Sequence, residues 1–418
     1  MKNEAQDHAH ILRRHLPATT ALLALSVLLT VLVTAPSAQS ETFKVLHAFG
    51  GPLGAVPFGS LVRDAKGNLY GTTFWGGAFN FGTVFMLDSA GKGRLIYSFT
   101  GGSDGGHPYA GLLRDSAGNL YGTTKYGGAF NAGTVFRINA KGTETVLYTF
   151  TGGADGGTPV GGVIRDAAGN FYGTTQLGGG GSCHGVGCGV VFKLDPSGTE
   201  TVLHTFTGGA DGGYPLARLI RDPAGNLYGT TQIGGNGADT LCSTADGGCG
   251  TVFKVDGDGN QTVLYSFSWG VGVDGGLPVG GLVMDAAGNL YGTNTVGGDN
   301  KACLGFGCGT VFKVDNNGTE TVLHSFTDPP EGADPSADLV RDAAGNLYGT
   351  TYDGGNPHFG TVFKLDTTGK ETVLYTFQGG KDGGYPTAGL VRDAAGNLYG
   401  TASNGGIGRE GVVFVIKP

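Results

Sequence analysis

Two sets of aspartates and three pairs of cysteines are the residues of this chain whose types and spacing could do chemistry. The first set, Asp64, Asp115, Asp166, Asp222, Asp285, Asp342 and Asp393, recurs at intervals of 51, 51, 56, 63, 57 and 51 residues. The second, Asp104, Asp155, Asp211, Asp274 and Asp382, with Asp334 in a variant, lies in Gly-Gly-x-Asp-Gly-Gly-x-Pro stretches. Carboxylates in loops could hold calcium, which takes roughly six to eight oxygen ligands. The first set opens Asp-x-x-Gly-Asn, and a hairpin turn asks for the same residues: Asp bonds backbone amides, Gly takes positive φ and Asn tolerates it. The second offers one carboxylate per stretch, thin for a cation shell. Turns are therefore expected at both sets, with no metal or other cofactor assigned and calcium kept as the alternative.

The cysteines pair as Cys183/Cys188, Cys242/Cys249 and Cys303/Cys308, each within one loop. Zinc competes here with local disulfides. An even number of loop-confined cysteines in an exported chain favours disulfides, whose small rings stiffen a loop more than they stabilise a fold. His47, His204 and His324 occupy a slot that Tyr97, Tyr148, Tyr265 and Tyr375 fill elsewhere, so they read as packing residues. No Walker loop, His-Glu-x-x-His or G-x-S-x-G elbow is present. Paired carboxylates for glycoside chemistry stay open, since only three dimensions could assemble them.

These residues are positioned by a repeat of about fifty residues, and internal repetition of that length marks solenoids or propellers. Three segments each occur seven times: the RDAKGNLYGTT type from Arg63, the GTVFKLD type carrying Phe85, Phe136, Phe192, Phe253, Phe312, Phe363 and Phe414, and the TVLYTF type ending at Phe49, Phe99, Phe150, Phe206, Phe267, Phe326 and Phe377. The second unit resolves into four short strands, 111–115, 119–124, 133–139 and 144–150, because β-branched and aromatic runs alternate with Gly, Asn, Asp and Pro. Four antiparallel strands per repeat is a propeller blade. The chain opens on a fourth strand without its first three (42–49) and stops at a third strand without a fourth (411–418), so the reading is an all-β, seven-bladed propeller whose N-terminal strand completes the last blade.

Residues 1–40 differ from the rest. Arg13 and Arg14 precede the apolar run ALLALSVLLTVLVT and the small residues APSAQS, which reads as a cleavable signal peptide ahead of one domain at 41–418. The expected product is secreted, periplasmic or on the cell surface, monomeric, and without a membrane span after cleavage. Glycine contributes 84 of 418 residues. Collagen and disorder are excluded by the absent Gly-X-Y period and the retained aromatics. A net charge of −8 with no basic stripe argues against a nucleic-acid partner.

The units, such as LHTFTGGADGGYPLARLIRDPAGNLYGTT followed by GTVFKVD, resemble the GloVer tandem-repeat family of secreted bacterial proteins. That resemblance spans nearly all of residues 42–418 and implies a β-propeller-like fold without a defined activity. Members carry varied surface-anchoring tails, and here the chain stops at the last strand. The D-x-x-G-N-L-Y-G-T segment has a weaker likeness to sensor-kinase propellers and to the Asp-box of sialidases, whose aspartate and glycine stand one residue closer.

Function on a repeat scaffold is expected where loops depart from the framework. The longer units hold every cysteine, and alternate connections place their loops on one face with the Asp-Gly-Gly stretches. Trp75, Tyr126, His184, Trp269, Tyr352 and His358 fall on that face. Aromatics there suit sugar rings or a protein partner, or simply pack the loops. Where the innermost strand begins, the equivalent residues are Ser60, Gly111, Gly162, Arg218, Gly281, Asp338 and Gly389. Arg218 and Asp338 alone are charged and are expected to line the channel mouth, pairing with each other or contacting a ligand. A noncatalytic module binding an extracellular glycan or protein is favoured over a propeller enzyme acting on glycans or lactones.

Overall fold

The computed structural model describes residues 42–236, 242, 248–268, 274–299 and 302–418; the signal-like segment and Trp269 lie outside the described residues. Among these residues the chain forms seven four-stranded antiparallel sheets with three short 3-10 segments in the strand connections. Blade 1 is Val62–Arg63, Leu69–Thr73, Thr83–Leu87 and Gly93–Ser98, paired in that order. Blade 7 is Val391–Arg392, Leu398–Ala402 and Val412–Lys417, completed by Thr42–Ala48. The first strand of the chain thus pairs with the last, Thr42 opposite Lys417 and Ala48 opposite Val412. The propeller and its closure are as the repeats require.

Phenylalanine holds the blades together. In blade 1, Gly71 lies directly opposite Phe85, and a Cβ on Gly71 would fall 2.6 Å from the Phe85 ring. Glycine inside a strand usually weakens it; here it lets a phenyl ring lie flat on the sheet. That ring meets Phe49 of blade 7 edge-on, with centroids 5.0 Å apart. The same contact recurs at every other seam, from Phe99–Phe136 at 5.1 Å to Phe377–Phe414 at 5.3 Å, always between the residue closing one outer strand and the third strand of the next blade. All fourteen rings are fully buried. The N-terminal strand also reaches back, since Phe43 stacks on Tyr375 of blade 6 at 3.7 Å.

The first aspartate set is consumed by its own hairpins. Asp64 Oδ1 accepts the Lys66 and Asn68 amides, and Oδ2 accepts the Asn68 side chain and the Tyr70 hydroxyl. The side-chain pair of bonds, from Asn119 to Asn397 and Tyr121 to Tyr399, is repeated in the other six blades. Burial pushes these carboxyls up, but the bonds more than offset it and hold them below the usual aspartate value. The preceding arginine acts across the seam. Arg63, Arg114, Arg165, Arg221, Arg341 and Arg392 each lay the guanidinium over the tyrosine ring of the previous blade's second strand, 5.2–5.7 Å from its centroid, a cation–π contact; Arg63 adds an ion pair to Asp393 of the previous blade at 3.7 Å. Met284 fills that place in blade 5 and, like Tyr228, packs against the buried cluster at this seam.

The second set also ends in turns. Asp104 accepts the Tyr97 hydroxyl and both the amide and hydroxyl of Thr100. His204 and His324 stand in for that tyrosine and face Asp211 at 3.3 Å and Glu331 at 3.5 Å. In blade 6 the carboxylate of this set is therefore Glu331, which also accepts from Thr327. Asp334 falls three residues later, at the place held by His107 and Tyr214 in other units.

Four glutamates behave in the opposite sense. Burial, and then the neighbouring carboxylate of the preceding connection, push Glu144, Glu200, Glu320 and Glu371 up to about 7. Blade 4 has Gln261 there, whose amide donates to the Asp211 carbonyl at 3.2 Å, a neutral counterpart of a protonated glutamate.

Three outcomes are expected. Removing residues 41–49 opens the ring and costs the cooperative thermal transition, whereas Phe150→Ala in an intact ring costs about 3–5 kcal/mol in denaturant unfolding. A raised folded pKa contributes stability that is full below the ordinary glutamate value of 4.5 and is lost as pH rises through the folded one. The melting temperature of the protein should then fall between about pH 5 and 8, and the quadruple Glu→Gln variant at 144, 200, 320 and 371 should flatten that slope. The lowered Asp64-type carboxyls act the other way, so a separate loss begins only as pH drops below the ordinary aspartate value of 3.8.

Candidate functional site

Each blade enters the propeller centre through a segment of the form x-Pro-y-z-w, from Val56-Pro57-Phe58-Gly59-Ser60 in blade 1 to Tyr385-Pro386-Thr387-Ala388-Gly389 in blade 7. In blades 4 and 6 exposure alternates along it: Tyr214, Leu216 and Arg218 are accessible while Pro215, Ala217 and Leu219 are buried, and Asp334, Ser336 and Asp338 repeat the pattern. Backbone bonds to the preceding blade fix the segment. The Thr72 hydroxyl donates to the Ala110 carbonyl at 2.9 Å, and Thr174 and Thr230 do the same for Ala217 and Gly280. The amide of residue x donates to a carbonyl of the previous blade in all seven, from Val56 to Glu410 at 2.7 Å to Tyr385 to Phe359 at 2.8 Å.

Residue x adopts a left-handed conformation in every blade. Val56, His107, Thr158, Tyr214, Leu277, Asp334 and Tyr385 all have φ between 54° and 58°. Such a conformation costs a non-glycine residue on the order of 1–3 kcal/mol and persists only where its surroundings impose it. The chain fills nearly all its other left-handed positions with glycine, yet keeps a side chain at this one seven times, of six different types.

Residue y rings the mouth of the channel: Phe58, Tyr109, Val160, Leu216, Val279, Ser336 and Thr387 enclose a cavity of about 250 Å³, together with Lys125 and Gln176 from the second strands' ends. Residue w forms the next tier down. Convergence there demands glycine: a Cβ on Gly389 would lie 2.8 Å from Asp338 Cβ, and one on Gly281 2.8 Å from Asp338 Oδ1. Arg218 and Asp338 fill the space their glycine neighbours leave, and both border this cavity and a second one, about 440 Å³, beneath it. Asp338 Oδ1 accepts the Gly281 amide at 2.6 Å. Arg218 makes no hydrogen bond or ion pair among the described residues; burial lowers its pKa while the Asp338 carboxylate raises it. The two charges line the mouth, then, but do not pair.

Around this mouth the loop face is uneven. On blades 1 and 2, Trp75 and Tyr126 are 42% and 38% exposed and flank His107, whose ring lies 4.4 Å from Trp75 and 5.9 Å from Tyr126. Phe74 and Phe58 continue the cluster to Tyr109, and the Lys125 ammonium lies over Tyr109 and Tyr126. Blade 6 presents acid instead. Tyr352 stacks near Tyr385 at 5.1 Å, and beside it Asp334 and Asp353 border a cavity of about 470 Å³ with Gln232 and Thr295. Burial, then Asp353, push the Asp334 carboxyl up to about 6. His358 pairs with Asp328 at 3.5 Å on an outer loop, and His184 meets the Tyr214 hydroxyl at 3.4 Å; neither reaches the channel cavity. The disulfides Cys183–Cys188, Cys242–Cys249 and Cys303–Cys308 all form, with Cα atoms 5.2–5.3 Å apart. Sequence reasoning passed over Tyr109, Lys125, Gln176, Asp353 and the role of Asp334. Their signal was present as positions where the seven aligned units differ while flanking residues stay the same.

Among solved structures, the chain is similar to virginiamycin B lyase from Staphylococcus aureus, at 15% identity and a TM-score of 0.58, over 90% of this chain and 99% of that one. It is also similar to the extracellular domain of a protein described as a one-component system from B. thetaiotaomicron, at 14% identity and a TM-score of 0.54, over 90% of this chain and 42% of that one. At these identities the likeness is one of fold. No curated protein is a significant match. No helix among the described residues is long and apolar enough to cross a membrane. The model of the Gloeobacter/Verrucomicrobia repeat matches residues 31–242 and again 187–414, and with that match running through almost every blade the chain belongs to the Gloeobacter/Verrucomicrobia repeat family.

Proposed function

We propose that this protein is an exported, noncatalytic binding module that takes its ligand, a glycan or a protein segment, on the loop face over the channel mouth. The observation that carries the reading is the left-handed residue x. A chain that places glycine at nearly all its other left-handed positions retains a strained side chain here in all seven blades, and varies it while the framework around it stays constant. Strain kept at a chosen place is a mark of function rather than of folding. The mouth below is lined by a mixture suited to a polyhydroxylated or amphipathic ligand: aromatic on blades 1 and 2, hydroxyl and amide at Ser336, Thr387 and Gln176. Export rests on the basic and apolar segment at residues 13–34, and the disulfides suit an oxidising compartment.

One observation favours a second reading, an extracellular propeller enzyme acting on glycans or lactones. Asp334 combines a carboxyl near neutrality with an Oδ1 atom that is buried and has no hydrogen-bond partner, the condition of a general acid or base.

A thermal-shift screen against mono- and oligosaccharides, with hits followed for product, separates the two. For the binding reading, Leu277→Gly and Tyr385→Gly relieve strain and leave the protein as stable or more stable by about 1 kcal/mol, yet weaken capture of the hit ligand about tenfold or more. If both glycine variants bind as the unmodified protein does, the face is not the site. Turnover that Asp334→Asn abolishes without a fall in melting temperature would establish the enzyme instead.

A further inference from the structure

The floor of the channel cavity narrows the ligand class, an inference that rests on the binding reading above. Arg218 and Asp338 are the charged members of a tier otherwise built of glycine and serine. They stand one glycine apart in the ring, on blades 4 and 6 with Gly281 of blade 5 between them. An ion pair would be the ordinary fate of two such residues, yet the Asp338 carboxylate is turned to the Gly281 amide at 2.6 Å, and the Arg218 guanidinium makes no hydrogen bond or contact ion pair among the described residues, feeling Asp338 only through its charge. The guanidinium is a planar fork of five N–H donors, matched to a carboxylate two bonds at a time. Asp338 has a second oxygen that accepts only.

We propose that the cavity recognises the carboxylate of a sugar acid, with Arg218 holding the carboxylate, Asp338 accepting a neighbouring hydroxyl, and the ring lying against Tyr109 and Phe58 at the rim. Three features select this ligand. With Arg218, Asp338 and the rim ammonium of Lys125 the site carries one net positive charge, so a monoanion brings it to neutrality whereas a dianion such as phosphate would leave it negative. The volume, about 250 Å³, is below the roughly 300–1,000 Å³ of pockets enclosing drug-sized ligands, so it admits one ring and not a chain. The rim offers Gln176, Ser336 and Thr387 beside its aromatics, hydrogen-bonding groups that an apolar amino-acid side chain would leave unpaired. The source is either a free uronic acid or the terminal uronate of an acidic glycan, which presents the same chemistry at its end.

Calorimetric titration of the protein with glucuronate, galacturonate, their methyl esters, the parent neutral hexoses, a uronate-terminated oligosaccharide and an α-amino acid decides the matter. Uronates are expected to bind about tenfold or more tightly than their esters, the loss set by an unmet charged hydrogen bond. Arg218→Gln should erase that preference with no fall in melting temperature, and Arg218→Lys should retain part of it. Tight binding of the oligosaccharide would identify a glycan end, and of the monosaccharide alone a free acid. Equal binding of acid and ester, a preference that survives Arg218→Gln, or capture of the amino acid in place of the uronate overturns the assignment while leaving a binding face intact. Failure of every saccharide, charged or neutral, removes the glycan form of the binding reading as well. Should Arg218→Gln not fold, the acid-against-ester comparison on the unmodified protein still decides.

Discussion

The edge-to-face contact between two phenyl rings at each seam is the constraint from which the rest of the structure follows. A blade of four short strands cannot bury both of its faces alone. Here each blade offers one ring at the end of its outer strand and receives one on its third strand, so a blade is complete only between two neighbours. An open stack would leave one ring of each kind in water. Seven such contacts close on themselves because Phe49, encoded at the start of the described chain, reaches Phe85 while Phe43 reaches Tyr375 of the other neighbour. The strand glycine opposite each third-strand ring belongs to the same device, since any side chain there would lift the phenyl off the sheet.

Closure of the ring has two opposite consequences at its centre. Seven segments converging on an axis leave little room, and most of the tier at Ser60 and its equivalents is glycine for that reason. Where a neighbour is reduced to hydrogen, a longer side chain fits, and Arg218 and Asp338 occupy that allowance. Above this tier the funnel widens, and geometry no longer dictates residue type. There the seven units diverge, from an aromatic arc on blades 1 and 2 to carboxylates on blade 6. Constancy of the frame and variety at the mouth are two sides of one division of labour, in which the repeat supplies rigidity and the deviations supply chemistry.

The titrating groups follow the same division. Carboxylates in the hairpins are wrapped in amide and hydroxyl donors, which stabilise the charge. Glutamates at the seams face a second carboxylate with little to donate to them, and are better neutral. Blade 4 has already replaced its glutamate by Gln261, so the ring tolerates the uncharged form at this place. The same chain therefore holds acids tuned in both directions, and the difference is set by what the next blade presents.

Blade number, strand order, closure by the N-terminal strand and the three disulfides were all legible in the sequence, because they depend on residues repeated at fixed intervals and on short-range pairing. So were the Asp-x-x-Gly-Asn turns, which are local. The location of Arg218 and Asp338 at the mouth followed from counting along equivalent positions. Only the tertiary structure decided what crosses a seam: that the arginines lie over tyrosine rings, that Glu331 rather than Asp334 completes its turn, and that Arg218 and Asp338 leave each other unpaired. It also revealed the left-handed backbone at residue x, since φ there is imposed by a hydrogen bond to the preceding blade and no local residue preference announces it. Repetition encodes what each blade does within itself, whereas contacts between blades join residues about fifty positions apart, and their geometry exists only once the ring is shut.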